Sequence, residues 1–130
     1  MTLVNFTYLE NLHDRRRKVT NKAGLNNLGF RSNENYYKND TGNLFLGCSI
    51  TEGVGVDLNE TWSSILNTSL EGKFISLAKG GSGSDTWFSY LLMFIDYFNP
   101  LKVFLLGYPY SRFEYFDSEK FIPAFMANKT

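Results

Sequence analysis

The 130-residue sequence contains a single cysteine, a single histidine and no excess of charge of either sign. One cysteine, Cys48, excludes an internal disulfide, and 13 basic side chains balance 13 acidic ones. A net charge of zero gives no general attraction to nucleic acid or to an anionic membrane, so neither is expected as a partner. No apolar run approaches the ~20 residues that span a bilayer, and the amino terminus lacks the pattern of a signal peptide. We therefore expect a reduced, cytoplasmic protein.

Length and composition together predict one globular domain. With 43% hydrophobic residues the chain can bury one core, and 130 residues leave little room for a second domain. Residues 1–43 lack clear periodicity, so we expect an irregular amino-terminal segment there. We expect residues 44–130 to form the α/β domain.

Strand and helix patterns alternate from residue 43 onward. Short apolar runs predict strands at 44–46, 73–78 and 101–106, and helical spacing predicts helices at 60–71 and from the glycine-serine loop 80–84 to Asn99-Pro100. The expected caps are Asn59 or Thr61 for the first helix and Ser82 or Ser84 for the second, whose core face would hold Trp87, Phe88, Leu91, Leu92, Ile95 and Phe98.

This order predicts an α/β fold, a three-layer sandwich with a short parallel sheet in flavodoxin-like order. Three parallel strands are few, and no further strand is predicted in the aromatic tail, residues 108–130. We therefore expect a sheet that lacks its carboxyl-terminal strands, which a longer chain or self-association would complete.

Ser49 is the best nucleophile candidate in the chain. It follows the apolar run 44–46 and Gly47, a residue that permits the sharp turn between a strand and a helix. The loop 80–84 begins at the same edge of the predicted sheet, where open α/β sheets bind their ligands. The same residues also fit a plain turn with a capping hydroxyl, and the loop also fits a phosphate cradle, although it lacks the lysine of a P-loop.

Gly47-Cys48-Ser49-Ile50-Thr51, followed about thirty residues later by a strand and Gly80-Gly81-Ser82-Gly83, resembles the first two blocks of the SGNH (GDSL-type) hydrolase family. Residues 29–34 resemble a leader found ahead of the serine block in some members. The resemblance implies a serine esterase without metal or cofactor, in which Ser49 attacks the acyl carbon and the N–H groups of Ser49 and Gly81 hold the oxyanion. It also implies small acyl esters as substrates, such as acetyl groups on a glycan.

The sequence departs from the family pattern at three places. Cys48 stands where the family often has aspartate, and Tyr108 and Pro109 follow the third strand where the family has an oxyanion asparagine. The family's Asp-x-x-His is absent, and the single histidine, His13, precedes the serine in a charged run, so the general base is unassigned. The alternative interpretation is a catalytically incomplete SGNH-like module for binding or assembly.

Three polar side chains beyond the third predicted strand are candidates for a substrate cleft. Tyr108, Tyr110 and Arg112 follow that strand and so belong to the same edge as Ser49. The other interpretation is that they pack beneath the rest of the domain.

Overall fold

The computed structural model describes residues 24–107, 112–117 and 120–125 of the chain. Its elements are β1 (Thr41–Gly47), α1 (Ser49–Glu52), α2 (Trp62–Asn67), β2 (Lys73–Ser76), α3 (Ser84–Phe94), β3 (Asn99–Leu106), β4 (Arg112–Asp117) and β5 (Lys120–Phe125). A 3₁₀ turn at Leu58–Glu60 precedes α2. Among the described helices, none combines the length and the apolar character that crossing a bilayer requires.

Three strands form a parallel sheet in the order β2-β1-β3. β1 lies in the middle, where Leu44 is opposite Ile75 of β2 on one side and Val103 of β3 on the other. A helix lies within each connection, which is the usual way to join parallel strands. The predicted α/β class and the short parallel sheet in flavodoxin-like order are therefore confirmed.

Helices cover both faces of the sheet. Successive side chains of β1 point to opposite faces, so the strand contacts both helical layers. Leu44 and Leu46 are buried in one core cluster with side chains of α3. Phe45 points the other way and contacts Trp62 at the start of α2, with the ring centroids 5.7 Å apart. The result is the expected three-layer arrangement.

The buried face of α3 differs from the predicted one. The helix buries Thr86, Trp87, Tyr90, Met93 and Phe94, whereas Phe88, Leu92 and Ile95, which were expected in the core, are exposed. The helix is apolar around most of its circumference, so spacing alone does not select a face. The tertiary contact does: the ring of Phe30 meets Tyr90 at 5.4 Å and Phe94 at 5.8 Å between centroids.

The predicted boundaries hold in part. Thr61 caps α2 as expected, since its hydroxyl accepts a hydrogen bond from the Ser64 N–H. The prediction that α3 extends to Asn99-Pro100 is wrong, because the helix ends at Phe94 and those two residues already belong to β3.

The aromatic tail contains strands, so the expectation of a tail without them is wrong. β4 and β5 form an antiparallel hairpin in which Phe113 is opposite Ala124. The alternation of charged and aromatic residues over 112–115 is the signal for a strand that sequence reasoning missed.

Residues 24–40 contribute to the core although they form no regular element beyond an isolated bridge. Phe30 and Tyr36 are fully buried. The Ser76 N–H of β2 donates to the Tyr36 hydroxyl at 3.0 Å. Burial also raises the pKa of Tyr36, because the phenolate would lose its water.

The Tyr36 hydroxyl gives the first test of this packing. Tyr36→Phe keeps the ring but leaves the buried Ser76 N–H without its acceptor, so we expect the free energy of unfolding to fall by about 1–3 kcal/mol. Urea denaturation followed by tryptophan fluorescence measures the change. Tyr37→Phe is the matched control, because Tyr37 is 57% exposed and should change stability by less than about 0.5 kcal/mol. Equal losses in the two variants would contradict this packing.

Candidate functional site

The end of β1 is shaped by a close approach between Gly47 and Thr51. A Cβ atom on Gly47 would overlap the Thr51 side chain, so only glycine fits there. Thr51 is itself buried and accepts a hydrogen bond from the Trp62 indole at 3.2 Å. The glycine and the threonine of the Gly-x-Ser-x-Thr pattern therefore depend on each other, and together they set the start of α1.

Ser49 is the first residue of α1 and is partly exposed, whereas the preceding Cys48 is buried. The serine thus lies at the carboxyl edge of the sheet, where the sequence predicts it. Cys48 fills the core as a small apolar residue.

The glycine-serine loop comes into contact with the serine turn. A Cβ atom added to Gly80 would lie 3.8 Å from Ser49 Cβ and 2.9 Å from a carboxylate oxygen of Glu52. The next residue, Gly81, has a φ of 78°, in the left-handed region that favours glycine. Two turns about thirty residues apart in the chain therefore meet at one edge of the sheet.

Buried polar contacts fix the loop against the end of β1. The Gly47 carbonyl oxygen accepts hydrogen bonds from the Ser82 hydroxyl at 2.9 Å and from the Lys79 N–H at 3.2 Å. The Trp87 indole N–H in turn donates to Ser82 Oγ at 2.9 Å. The expectation that Ser82 or Ser84 caps α3 is wrong, because the N-cap is Gly83 and no side chain caps it.

Ser49 and Gly81 carry polar groups that form no hydrogen bond with the described residues. Ser49 begins a helix, so its N–H has no partner within that helix. Across residues 24–107, 112–117 and 120–125, no hydrogen bond is made by the Ser49 hydroxyl, the Ser49 N–H or the Gly81 N–H. An oxyanion needs donors of this kind.

Glu52 is the site residue that the sequence interpretation missed. It ends α1, and its carboxylate accepts a hydrogen bond from the Gly80 N–H at 2.6 Å. Its position three residues after Ser49 was the available signal, since residues at that spacing share one side of a helix.

Arg31 holds the turn that follows α1. Its guanidinium donates to the carbonyl oxygens of Glu52 at 3.1 Å, Gly53 at 2.5 Å and Val56 at 2.7 Å. Gly53 has a φ of 84° and closes the helix in a left-handed conformation. Arg31 lies within residues 29–34, the leader that resembles the family, but its carbonyl partners could not be predicted from the sequence.

An open cavity of about 460 Å³ lies beside this turn. Its lining contains one cation, one anion and two amides beside apolar surface: Gly24, Arg31, Asn33, Asp57, Leu58 and Asn59. Arg31 therefore connects the cavity to the helix that carries Ser49.

Several predicted site residues lie outside the described residues. These are His13, Tyr108 and Tyr110, while Arg112 is described only as the first residue of β4. Because His13 is the one histidine of the chain, the described residues contain none. Nor do they contain a group of three or more His, Cys, Asp or Glu side chains placed to hold a metal ion.

No protein-family model, no curated protein and no solved structure matches this chain. The assignment of a function therefore depends on the residues and on their geometry.

The hydrogen bonds of the Ser82 hydroxyl with Gly47 and Trp87 can be tested directly. Ser82→Ala leaves the buried Trp87 N–H without an acceptor, and we expect the free energy of unfolding to fall by about 1–3 kcal/mol. Ser84→Ala in the same loop is the control, since Ser84 is exposed and should matter by less than about 0.5 kcal/mol. Urea denaturation of both variants measures the difference, and a larger loss for Ser84→Ala would restore the capping interpretation.

Proposed function

We propose that this chain is an SGNH-like serine esterase that cleaves small acyl esters, such as acetyl groups on a glycan. The observation that carries the proposal is the contact between the two turns, with Ser49 partly exposed and Gly80 placed so that its Cβ would lie 3.8 Å from Ser49 Cβ. The open N–H groups of Ser49 and Gly81 support it further.

In the proposed reaction the Ser49 hydroxyl oxygen attacks the acyl carbon of the ester. The carbonyl electron pair moves to oxygen, and the N–H groups of Ser49 and Gly81 stabilise the resulting oxyanion. Collapse of this intermediate breaks the bond to the alcohol oxygen, which takes up the proton that the base removed from Ser49, and leaves an acyl group on Ser49. Water then attacks the acyl group and releases it as the carboxylic acid. The hydroxyl proton must pass to a general base, for which the described residues supply no histidine.

In this proposal the cavity beside Arg31 would receive the alcohol part of the ester. Arg31 and Asp57 supply charge, and Asn33 and Asn59 supply amide donors and acceptors. Such a lining suits the hydroxyl groups of a sugar better than a long acyl chain.

The nucleophile is tested by activity and by covalent labelling. We expect slow hydrolysis of p-nitrophenyl acetate that Ser49→Ala reduces at least ~100-fold, since only the oxyanion donors would remain. A fluorophosphonate probe should label the wild type at Ser49 and leave Ser49→Ala unlabelled, as peptide mass spectrometry would show. Ser69→Ala is the control, because Ser69 is an exposed serine beyond α2. Equal hydrolysis and labelling in wild type and Ser49→Ala would refute the nucleophile.

We keep a second candidate function, a catalytically incomplete SGNH-like module for binding or assembly. It is favoured by the lack of the family's Asp-x-x-His pattern in this sequence and by Tyr108 standing where the family has its oxyanion asparagine. A chain that binds acetylated glycans but neither hydrolyses p-nitrophenyl acetate nor reacts with the probe would support it.

A further inference from the structure

Glu52 joins the two turns of the candidate site through a short hydrogen bond. Its carboxylate oxygen lies 2.6 Å from the Gly80 nitrogen, and the residue is partly buried. Hydrogen bonds to an ionised acceptor are shorter and about twice as strong as neutral ones. This contact therefore restrains the loop at the residue immediately before Gly81.

The carboxylate is positioned from its own side as well. Glu52 lies on the same single-turn helix as Ser49, and Arg31 donates to the Glu52 carbonyl oxygen at 3.1 Å. A Cβ at Gly80 would lie 2.9 Å from the Glu52 carboxylate oxygen, so a side chain there would displace the carboxylate from the Gly80 N–H. Serine, carboxylate and loop are thus fixed to one another over a short distance.

We propose that Glu52 is a positioning residue: its carboxylate holds the Gly80 N–H and so sets where the Gly81 N–H lies relative to Ser49. The catalytic meaning of this inference rests on the proposed esterase function, whereas the contact itself does not. Because Glu52 occupies the Gly80 amide, the amide of the next residue, Gly81, is the one that the proposal assigns to the oxyanion.

The contact is tested by NMR on the full chain labelled with ¹⁵N-glycine. A short bond to a carboxylate moves the Gly80 amide proton downfield and slows its exchange with water. We expect Glu52→Ala to move this resonance upfield and to speed its exchange at least about tenfold, with a smaller change in Glu52→Gln, which keeps a neutral acceptor. Glu71→Ala is the control, since Glu71 is an exposed carboxylate beyond α2.

The same variants separate positioning from proton transfer. With p-nitrophenyl acetate we expect Glu52→Ala to lower kcat about 10- to 100-fold with little change in KM, because the loop donor is misplaced. Glu52→Gln should stay within about fivefold of the wild type, since an amide oxygen still accepts from Gly80. If Glu52 were the general base, Glu52→Gln would lose as much kcat as Glu52→Ala.

The outcomes distinguish this inference from the proposed function. A Gly80 amide that is unchanged in Glu52→Ala overturns the inference, whatever the activity, and so does an equal loss of kcat in the two variants. If the wild type has no esterase activity but the Gly80 amide responds to Glu52 as expected, the contact stands and the esterase proposal fails. Thermal melts of both variants show whether they fold. If Glu52→Ala does not fold, the Gly80 amide shift and exchange rate in Glu52→Gln still test the contact.

Discussion

The close packing around Gly47 is the constraint on which the candidate site depends. The residue has no space for a side chain against Thr51, and its carbonyl oxygen accepts hydrogen bonds from Ser82 and Lys79. The first contact sets how α1 leaves the sheet, and the other two set where the glycine-serine loop lies. Because Ser49 follows Gly47 by only two residues, a change at Gly47 would move the serine and the loop relative to each other.

The sheet could be predicted from the sequence, but the partners of individual side chains could not. Apolar runs separated by segments of helical periodicity predict the order of strands and helices along the chain. The right-handed crossover rule then leaves few possible arrangements of the strands in the sheet. The face of α3 and the role of Ser82 depend on contacts with residues distant in sequence: Phe30 selects the buried face, and Gly47 takes the hydroxyl that local rules assign to a helix cap. The role of Glu52 could not be predicted for the same reason, since its hydrogen-bond partner Gly80 is 28 residues away.

The irregular segment before the sheet contributes to both the core and the site. Phe30 and Tyr36 are fully buried, while Arg31 between them reaches three backbone carbonyl oxygens, one in the last residue of α1 and two beyond it. An arginine suits this position because its planar group can donate to several acceptors at once. The segment thus couples packing against α3 to the geometry of the turn after Ser49, although its sequence lacks helix or strand periodicity.

The backbone N–H groups at the site are of two kinds: one is hydrogen-bonded within the part of the chain that the structure describes, and two are not. Buried backbone N–H groups are nearly always paired, because leaving one unpaired costs about 1–3 kcal/mol. Gly80 is half-buried, and its N–H is held by the Glu52 carboxylate. Ser49 and Gly81 are also partly exposed, so water can satisfy their N–H groups at little cost. Under the proposed function, an ester oxygen would bind these two N–H groups, while the hydrogen bonds at Gly47 and Gly80 hold the two turns together. The groups that fix the two turns are therefore different from the groups to which the proposal assigns substrate binding.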